Sequence, residues 1–171
     1  MSEENDEKEL EKKVKEIVKK KEKELKLDEE VMESIKRKYY KFPKTEEEVK
    51  EIVVSENNEG KIIILDFYTN VCQPCKFLDY VLCGILKKYE EKGKKDIVEV
   101  VKVNLDINEL VNIAITFSVK AVPTVLFIYN AELVKIKMKD EEGKVIETEI
   151  LVGLKDEEVY VGVIENILKI R

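Results

Sequence analysis

The sequence contains no histidine and no tryptophan, and it has only three cysteines, three prolines and six glycines. Zinc normally takes four ligands, so a chain with no histidine and one close cysteine pair predicts no metal site. No apolar run approaches the roughly 18 residues of a membrane span. The first 30 residues are charged throughout and lack the apolar core of a secretory signal. We therefore expect a soluble protein of the cytoplasm with no membrane partner.

Charged side chains make up 40% of the 171 residues, far above the usual share of about a quarter. Lysine, glutamate, isoleucine and valine dominate, a bias typical of proteins from very hot environments. The net charge of −6 does not favour nucleic acid as a partner. Glycine-rich phosphate loops are absent, so nucleotide binding is not predicted either. The hydrophobic content of 44% supports one domain with its own core.

Residues 1–44 differ from the rest of the chain in charge. The number of lysines and arginines there nearly equals the number of aspartates and glutamates. Apolar positions from Leu10 to Leu25 recur on one face of a first helix. Asp28 can cap a second helix, which ends before Phe42 and Pro43. We predict a charged helical extension at 1–44 and a separate domain at 45–171. The extension is either a solvated helical hairpin or a device that binds a partner.

The pattern after Thr45 alternates helices with strands, which predicts an α/β domain with a central mixed sheet flanked by helices. The apolar run at Ile62–Leu65 is typical of a strand buried on both faces. A strand, a long helix and a strand follow one another, so the two strands should be parallel. Asp106 is expected to cap the next helix. The predicted strands are 62–68, 97–104, 125–129, 133–139 and 145–152. After a short helix that starts at Thr45, the predicted helices are 73–91, 107–117 and one from 156.

Cys72 and Cys75 enclose Gln73 and Pro74 at the start of the helix predicted at 73–91. The helix N-terminus has unpaired N–H groups and a partial positive charge, and both favour a thiolate. Cys72 lies at the mouth of the helix, where we expect it to attack disulfides as the nucleophile. Cys75 falls on the inward stripe and can resolve the mixed disulfide. Pro74 is tolerated because the first helical turn needs no N–H donor there.

Cys83 lies eight residues after Cys75, about 12 Å along the same helix. A disulfide needs Cα atoms within about 7 Å, so an intact helix excludes a Cys75–Cys83 bond. Two alternatives remain for Cys83. It is either a cysteine covered by a neighbouring side chain or the site of an intermolecular disulfide.

These features together resemble the thioredoxin family over about residues 46–170. The cysteine pair follows a buried strand, and a Val-Pro-Thr element comes some 50 residues later, which makes the pattern specific. The resemblance implies a thioredoxin fold, with the N-terminal helical extension outside it. The matching segments are Asp66, Cys72–Lys76, Val101–Asp106, Phe117–Thr124 and Val152–Gly153.

The resemblance also implies roles for particular residues. Pro123 is expected to be the family's cis-proline beside the two sulfurs, and the backbone of Val122 to pair with an extended substrate. Asp66 is expected to exchange protons with Cys75 as a buried carboxylate. Lys102 would lie beside Asp66 and limit the cost of burying it. The alternative for Asp66 and Lys102 is a purely structural ion pair.

The sequence departs from the family around the cysteines. Val71 stands where the family usually has tryptophan, and Gln73 replaces the usual glycine. With Pro74, these residues would form the surface that meets the substrate. The region 130–153 is also longer than in a minimal member, by roughly a dozen residues, and implies an extra or extended strand pair.

By this resemblance the protein would be a thiol–disulfide oxidoreductase that reduces disulfides in protein substrates. It would need no bound cofactor, because a thioredoxin-reductase-like enzyme would supply the electrons. Val122 before Pro123 resembles the reducing members more than the strongly oxidising ones. Two alternatives remain: a disulfide oxidase or isomerase, and a client-specific adaptor that uses the N-terminal helices.

Overall fold

The computed structural model describes residues 2–26 and 29–169 of the chain. It divides into two compact units, the first ending at Ser34 and the second starting at Ile35. The first unit contains helix α1 (Ser2–Lys26) and the start of helix α2 (Glu29–Tyr39). The predicted cap at Asp28 lies outside the described residues. No helix among the described residues is long and apolar enough to cross a membrane.

The second unit is built on a mixed sheet. Strand β2 (Ile62–Tyr68) lies between β3 (Val98–Asn104), which runs parallel to it, and β4 (Thr124–Tyr129), which runs antiparallel. With β1 at Tyr40–Lys41 and β5 at Glu132–Leu133, the order across the sheet is β1-β3-β2-β4-β5, and β8 (Leu151–Val152) also pairs with β4. The main strands are β1 (Tyr40–Lys41), β2 (Ile62–Tyr68), β3 (Val98–Asn104) and β4 (Thr124–Tyr129), and the main helices are α3 (Glu46–Val54), α4 (Gln73–Glu91), α5 (Val111–Thr116) and α6 (Glu157–Lys169).

The first strand of the sheet corrects the predicted domain boundary. Tyr40 and Lys41 pair in parallel with Val100 and Val101 of β3, so residues assigned to the extension form an edge strand of the sheet. The side chains of Tyr39 and Tyr40 are buried. The compact unit therefore begins at Ile35 and not at the predicted residue 45.

The two faces of β2 lead to different layers of the core. Leu65 and Phe67 belong to a cluster that includes Val49 of α3 and Ile113 of α5. Side chains alternate across a strand, so Asp66 points to the opposite face of the sheet. Its contact network reaches helix α4 on that face. The predictions of a strand at 62–68 and a helix at 73–91 are both confirmed.

The region after β4 has more and shorter strands than predicted. Asn130 and Ala131 adopt positive φ angles and turn the chain at the end of β4. The predicted strand 133–139 is divided into two pieces, and so is 145–152, with a turn at 140–144 between them. The strands are β5 (Glu132–Leu133), β6 (Ile136–Lys139), β7 (Val145–Thr148) and β8 (Leu151–Val152), of which β6 and β7 form a separate two-stranded sheet.

The helix predicted at 107–117 is shorter in the structure. It begins with a 3-10 turn at Asn108–Leu110 and continues as α5, and no side chain caps either part. The predicted cap at Asp106 is wrong. Its carboxylate accepts a hydrogen bond from the backbone N–H of Asn70 at 2.8 Å and so serves the loop before Cys72.

Candidate active site

Cys72 and Cys75 form a disulfide at the start of α4, with their Cα atoms 5.2 Å apart. Cys72 occupies the N-cap position, and its sulfur accepts a hydrogen bond from the backbone N–H of Cys75 at 3.2 Å. Cys72 is half-buried, whereas Cys75 is only 2% exposed. Cys72 is thus partly exposed at a helix N-terminus and Cys75 is covered, as the helical spacing predicted.

The loop that presents Cys72 is fixed by side chains at the end of β3. Asn104 donates through its side-chain amide to Asn70 at 3.1 Å, and its oxygen accepts from the N–H of Asp106 at 3.0 Å. Together with the bond from Asn70 to Asp106, these contacts tie the loop after β2 to the loop after β3. Parallel neighbours end at the same edge of a sheet, so the position of Cys72 follows from the pairing of β2 with β3.

The loop before β4 lies at this same edge, because Thr124 pairs with Phe67 near the end of β2. The peptide bond between Val122 and Pro123 is cis. Pro123 is buried and Val122 half-buried, and the carbonyl of Pro123 accepts from the N–H of Gly153 at 2.7 Å. The loop before β4 is thereby held against the strand that ends at Val152.

The residues expected to meet a substrate are open to solvent beside Cys72. Val71 is 88% exposed, and Gln73 and Pro74 are also exposed. An exposed valine next to the reactive sulfur offers an apolar contact without the larger ring of a tryptophan.

Asp66 and Lys102 are paired across β2 and β3, with the ammonium nitrogen 2.8 Å from the Oδ2 atom of Asp66. Their side chains are 0% and 3% exposed. Burial raises the pKa of the Asp66 carboxyl from its usual 3.8 to about 6, although Lys102 lowers it. The other oxygen, Oδ1, has no hydrogen-bond partner among the described residues. Asp66 therefore combines a pKa near neutrality with an oxygen available for a proton.

Sequence reasoning did not single out Asp79, which is a second partner of Lys102. The Lys102 nitrogen lies 2.8 Å from Oδ1 of Asp79, and Tyr40 donates its hydroxyl to the same oxygen at 3.3 Å. Lys36 lies 3.8 Å from the other oxygen of Asp79. Asp79 is one helical turn after Cys75, on the same side of α4, and this spacing is the signal that could have identified it.

The two carboxylates act on Lys102 in the same direction. Burial disfavours the charge on the Lys102 ammonium, but Asp66 and Asp79 outweigh it and raise its pKa. The ammonium also lies 4.2 Å from the centroid of the Tyr68 ring, a cation–π distance. Tyr68 follows Asp66 by two residues and so shares its face of the strand. Lys102 is held as a cation between two carboxylates and an aromatic ring.

Cys83 is buried on the outer flank of this network, with 3% of its surface exposed. Its thiol donates to the Tyr40 hydroxyl at 3.6 Å. Burial raises the pKa of the Cys83 thiol, so the protonated form is favoured. The alternative of a cysteine covered by a neighbouring side chain agrees with this environment, and Cys83 forms no disulfide within the described residues.

Comparison with known proteins gives a consistent result. The family model described as Thioredoxin matches residues 41–154. The thioredoxin of Buchnera aphidicola subsp. Baizongia pistaciae is 37% identical over 78 residues, which cover 46% of this chain and 65% of that protein. Thioredoxin H3 of Arabidopsis thaliana is 32% identical over 89 residues, covering 52% of this chain and 69% of that one.

Solved structures agree with the sequence comparison. The thioredoxin of Nicotiana alata is 26% identical with a TM-score of 0.53, covering 77% of this chain and 92% of that chain. Thioredoxin O2 of Arabidopsis thaliana in its oxidized state has the same fold at 21% identity and a TM-score of 0.54, covering 77% of this chain and 96% of that chain. The chain therefore belongs to the thioredoxin family.

Proposed function

We propose that this protein is a thiol–disulfide oxidoreductase that reduces disulfides in protein substrates. The observation that carries the proposal is the Cys72–Cys75 disulfide at the N-terminus of α4, with Cys72 accessible and Cys75 covered. In the reduced protein, the N–H of Cys75 and the helix dipole favour a thiolate at Cys72. A thiolate open to solvent beside a buried thiol is the arrangement that disulfide exchange needs.

The reaction would proceed in two exchange steps. The Cys72 thiolate attacks one sulfur of the substrate disulfide, forms a mixed disulfide and releases the other substrate sulfur as a thiolate. The Cys75 thiolate then attacks the Cys72 sulfur, restores the internal disulfide and releases the second substrate thiol. Two electrons pass from the protein to the substrate, and Cys75 must lose a proton before the second step.

Asp66 would accept that proton, directly or through water. Its position on the α4 face of β2 and its Oδ1 atom without a partner support this role. A carboxyl with a pKa of about 6 is largely ionised at neutral pH and can still return a proton, whereas one with the usual value of 3.8 is a weaker base. Lys102 would act as a positioning residue that moderates this pKa.

Substrate would bind over Val71, Gln73 and Pro74, with its backbone paired to Val122 next to Pro123. Val71, Gln73 and Pro74 are exposed and Val122 is only half-buried, which supports that placement. No bound cofactor is required, because a thioredoxin-reductase-like enzyme would reduce the Cys72–Cys75 disulfide. We place the reaction in the cytoplasm, where such a reducing chain operates.

A redox titration of the Cys72–Cys75 pair, read by alkylation and mass spectrometry, tests the proposal. A midpoint potential of about −270 mV is expected for a reductant. A midpoint potential of about −180 mV would identify the protein as an oxidase or isomerase and not a reductant. A pair that does not titrate reversibly would contradict the oxidoreductase function altogether.

A further inference from the structure

A groove of about 680 Å³ lies between β6 and α6, on elements that contribute no residue to the cysteine site. Its strand side consists of β6 and the two residues before it, Val134 and Lys135, and its helix side of α6 residues that include Gly162, Val163 and Ile167. The four residues of β6 span about 13 Å, and the twelve residues 158–169 of the helix span about 18 Å.

Every residue of β6 lines the groove, which is the pattern expected where a strand presents its edge and not one face. Side chains alternate between the two faces of a strand, so a wall lined by every residue in turn runs along the strand's edge. Among the described residues, β6 pairs only with β7. An edge without a neighbouring strand presents backbone N–H and C=O groups to which another extended segment can be added.

Gly162 leaves space in the opposite wall. It lies inside α6, where a glycine costs about 1 kcal/mol relative to alanine. A Cβ atom at this position would meet no atom of the described residues within 4 Å, so packing against them does not require a glycine. The missing side chain permits an occupant of the groove to approach the backbone of α6.

The charge around the groove is positive on a chain that is negative overall. Four lysines and one glutamate line it, whereas the net charge of the protein is −6. Ile136 is buried, and the flanking Lys135 and Lys137 are exposed, with Lys135 3.8 Å from Glu147 of β7. A strand added beside β6 would place alternate side chains opposite these lysines, where carboxylates are favoured. The charged residues are Lys135, Lys137, Lys139, Lys169 and Glu158.

We propose that the groove binds an extended acidic segment of a partner protein, which adds as a strand to the edge of β6 with carboxylates facing the lysines and apolar side chains facing inward. The proposal is independent of the chemistry at Cys72 and Cys75. It gives the longer region between β4 and α6 a function as an interaction surface.

The test uses the full chain and a labelled peptide of about six residues that alternates glutamate with valine, followed by fluorescence anisotropy. A peptide that alternates lysine with valine is the matched control. We expect saturable binding of the acidic peptide, at least about tenfold tighter than that of the control, and weakened by added salt. The double variant Lys137→Glu, Lys139→Glu should lose at least about tenfold in affinity.

Substitutions at glycine separate the groove from general surface attraction. Gly162→Ala and Gly162→Gln should weaken binding progressively as the side chain grows. Gly84→Ala is the matched control, because Gly84 lies in α4 outside the groove and its Cβ would likewise meet no described atom within 4 Å. Both alanine variants should remain folded, since alanine favours helix over glycine.

Three results would overturn the proposal. The first is an absence of saturable binding, and the second is equal binding of the two peptides. The third is a self-associated protein in sedimentation that Gly162→Gln makes monomeric, which would assign the groove to a second copy of the chain. The double lysine variant tests the same surface if a Gly162 variant fails to fold.

Discussion

The ammonium of Lys102 lies 2.8 Å from an Asp79 oxygen, the same distance that separates it from Asp66. One buried cation is thus shared by two carboxylates that lie on different elements, β2 and α4. Asp66 receives only part of the stabilisation that Lys102 can give, and the charge of Asp79 itself raises the pKa of Asp66. Asp79 therefore helps to keep the pKa of Asp66 close to neutral pH.

Removing the charge at position 79 should lower the pKa of Asp66. In Asp79→Asn the repulsion is lost and Lys102 is freed for Asp66, so the pKa should fall below about 6. Titration of the Asp66 carboxyl carbon by NMR measures the change. Glu90→Gln is the control, because Glu90 lies on the same helix but bonds to Tyr39 and Lys38. An unchanged or higher pKa of Asp66 would contradict the shared-cation arrangement.

Removing the cation should have the opposite effect. Both of the influences that lower the pKa of Asp66 come from Lys102, so Lys102→Met should raise it above about 6. The two carboxylates would then share a buried site without compensation, and the loss of stability at pH 7 should be about 3–5 kcal/mol. Urea unfolding measures the stability, and the NMR titration measures the pKa of Asp66. A variant as stable as the natural protein at pH 7 would refute this prediction.

The pH dependence of stability should carry the signature of Asp66. The pKa of Asp66 in the folded protein, about 6, exceeds the usual 3.8. The protonated carboxyl therefore stabilises the folded state fully below about pH 4, and this stabilisation is lost as the pH rises through 6. The loss should reach up to about 3 kcal/mol. Asp66→Asn does not titrate and Lys102 keeps Asp79, so the variant should gain stability relative to the natural protein between pH 4 and pH 7.5.

Chemical unfolding at several pH values measures this difference. Glu141→Gln, which removes an exposed carboxylate in the turn after β6, is the control for surface charge. A difference between Asp66→Asn and the natural protein that stays constant from pH 4 to pH 7.5 would rule out the raised pKa.

Cys83 should resist modification while the protein is folded. In the oxidised protein it is the free cysteine, it is buried, and its pKa is raised. Alkylation by iodoacetamide should be slower than in the unfolded chain by a factor on the order of a hundred or more. Electrophoresis without reductant should give a monomer for both the natural protein and Cys83→Ser. A covalent dimer that disappears in Cys83→Ser would instead establish the intermolecular disulfide.

Two truncations should differ in stability. A chain that starts at Ile35 keeps β1 and the buried Tyr39 and Tyr40, and should unfold cooperatively. A chain that starts at Thr45 lacks them and should lose more than about 3 kcal/mol, the scale of deleting one large core side chain. Denaturant unfolding of the two chains measures the difference. Equal stabilities would restore the boundary predicted between residues 44 and 45.

Local signals in the sequence predict the elements that surround Cys72. The run Ile62–Leu65, the cysteine pair and Pro74 are signals that act over one strand or one helical turn, so the strand, the helix start and the exposure of the two sulfurs could be predicted from them. The predicted helix at 107–117 and strands after Asn130 were less accurate, because 3-10 turns and positive φ angles divide segments whose apolar pattern is continuous.

Which distant residues share a site depends on how the elements pack in three dimensions. Tyr40 joins β3 and Asp79 joins Lys102 across separations that no local pattern encodes. The groove also depends on tertiary packing, since no local pattern in the sequence of β6 or of α6 indicates it. Propensity and capping act between neighbours in the chain, whereas the order of strands and the partners of a buried charge depend on which elements pack together.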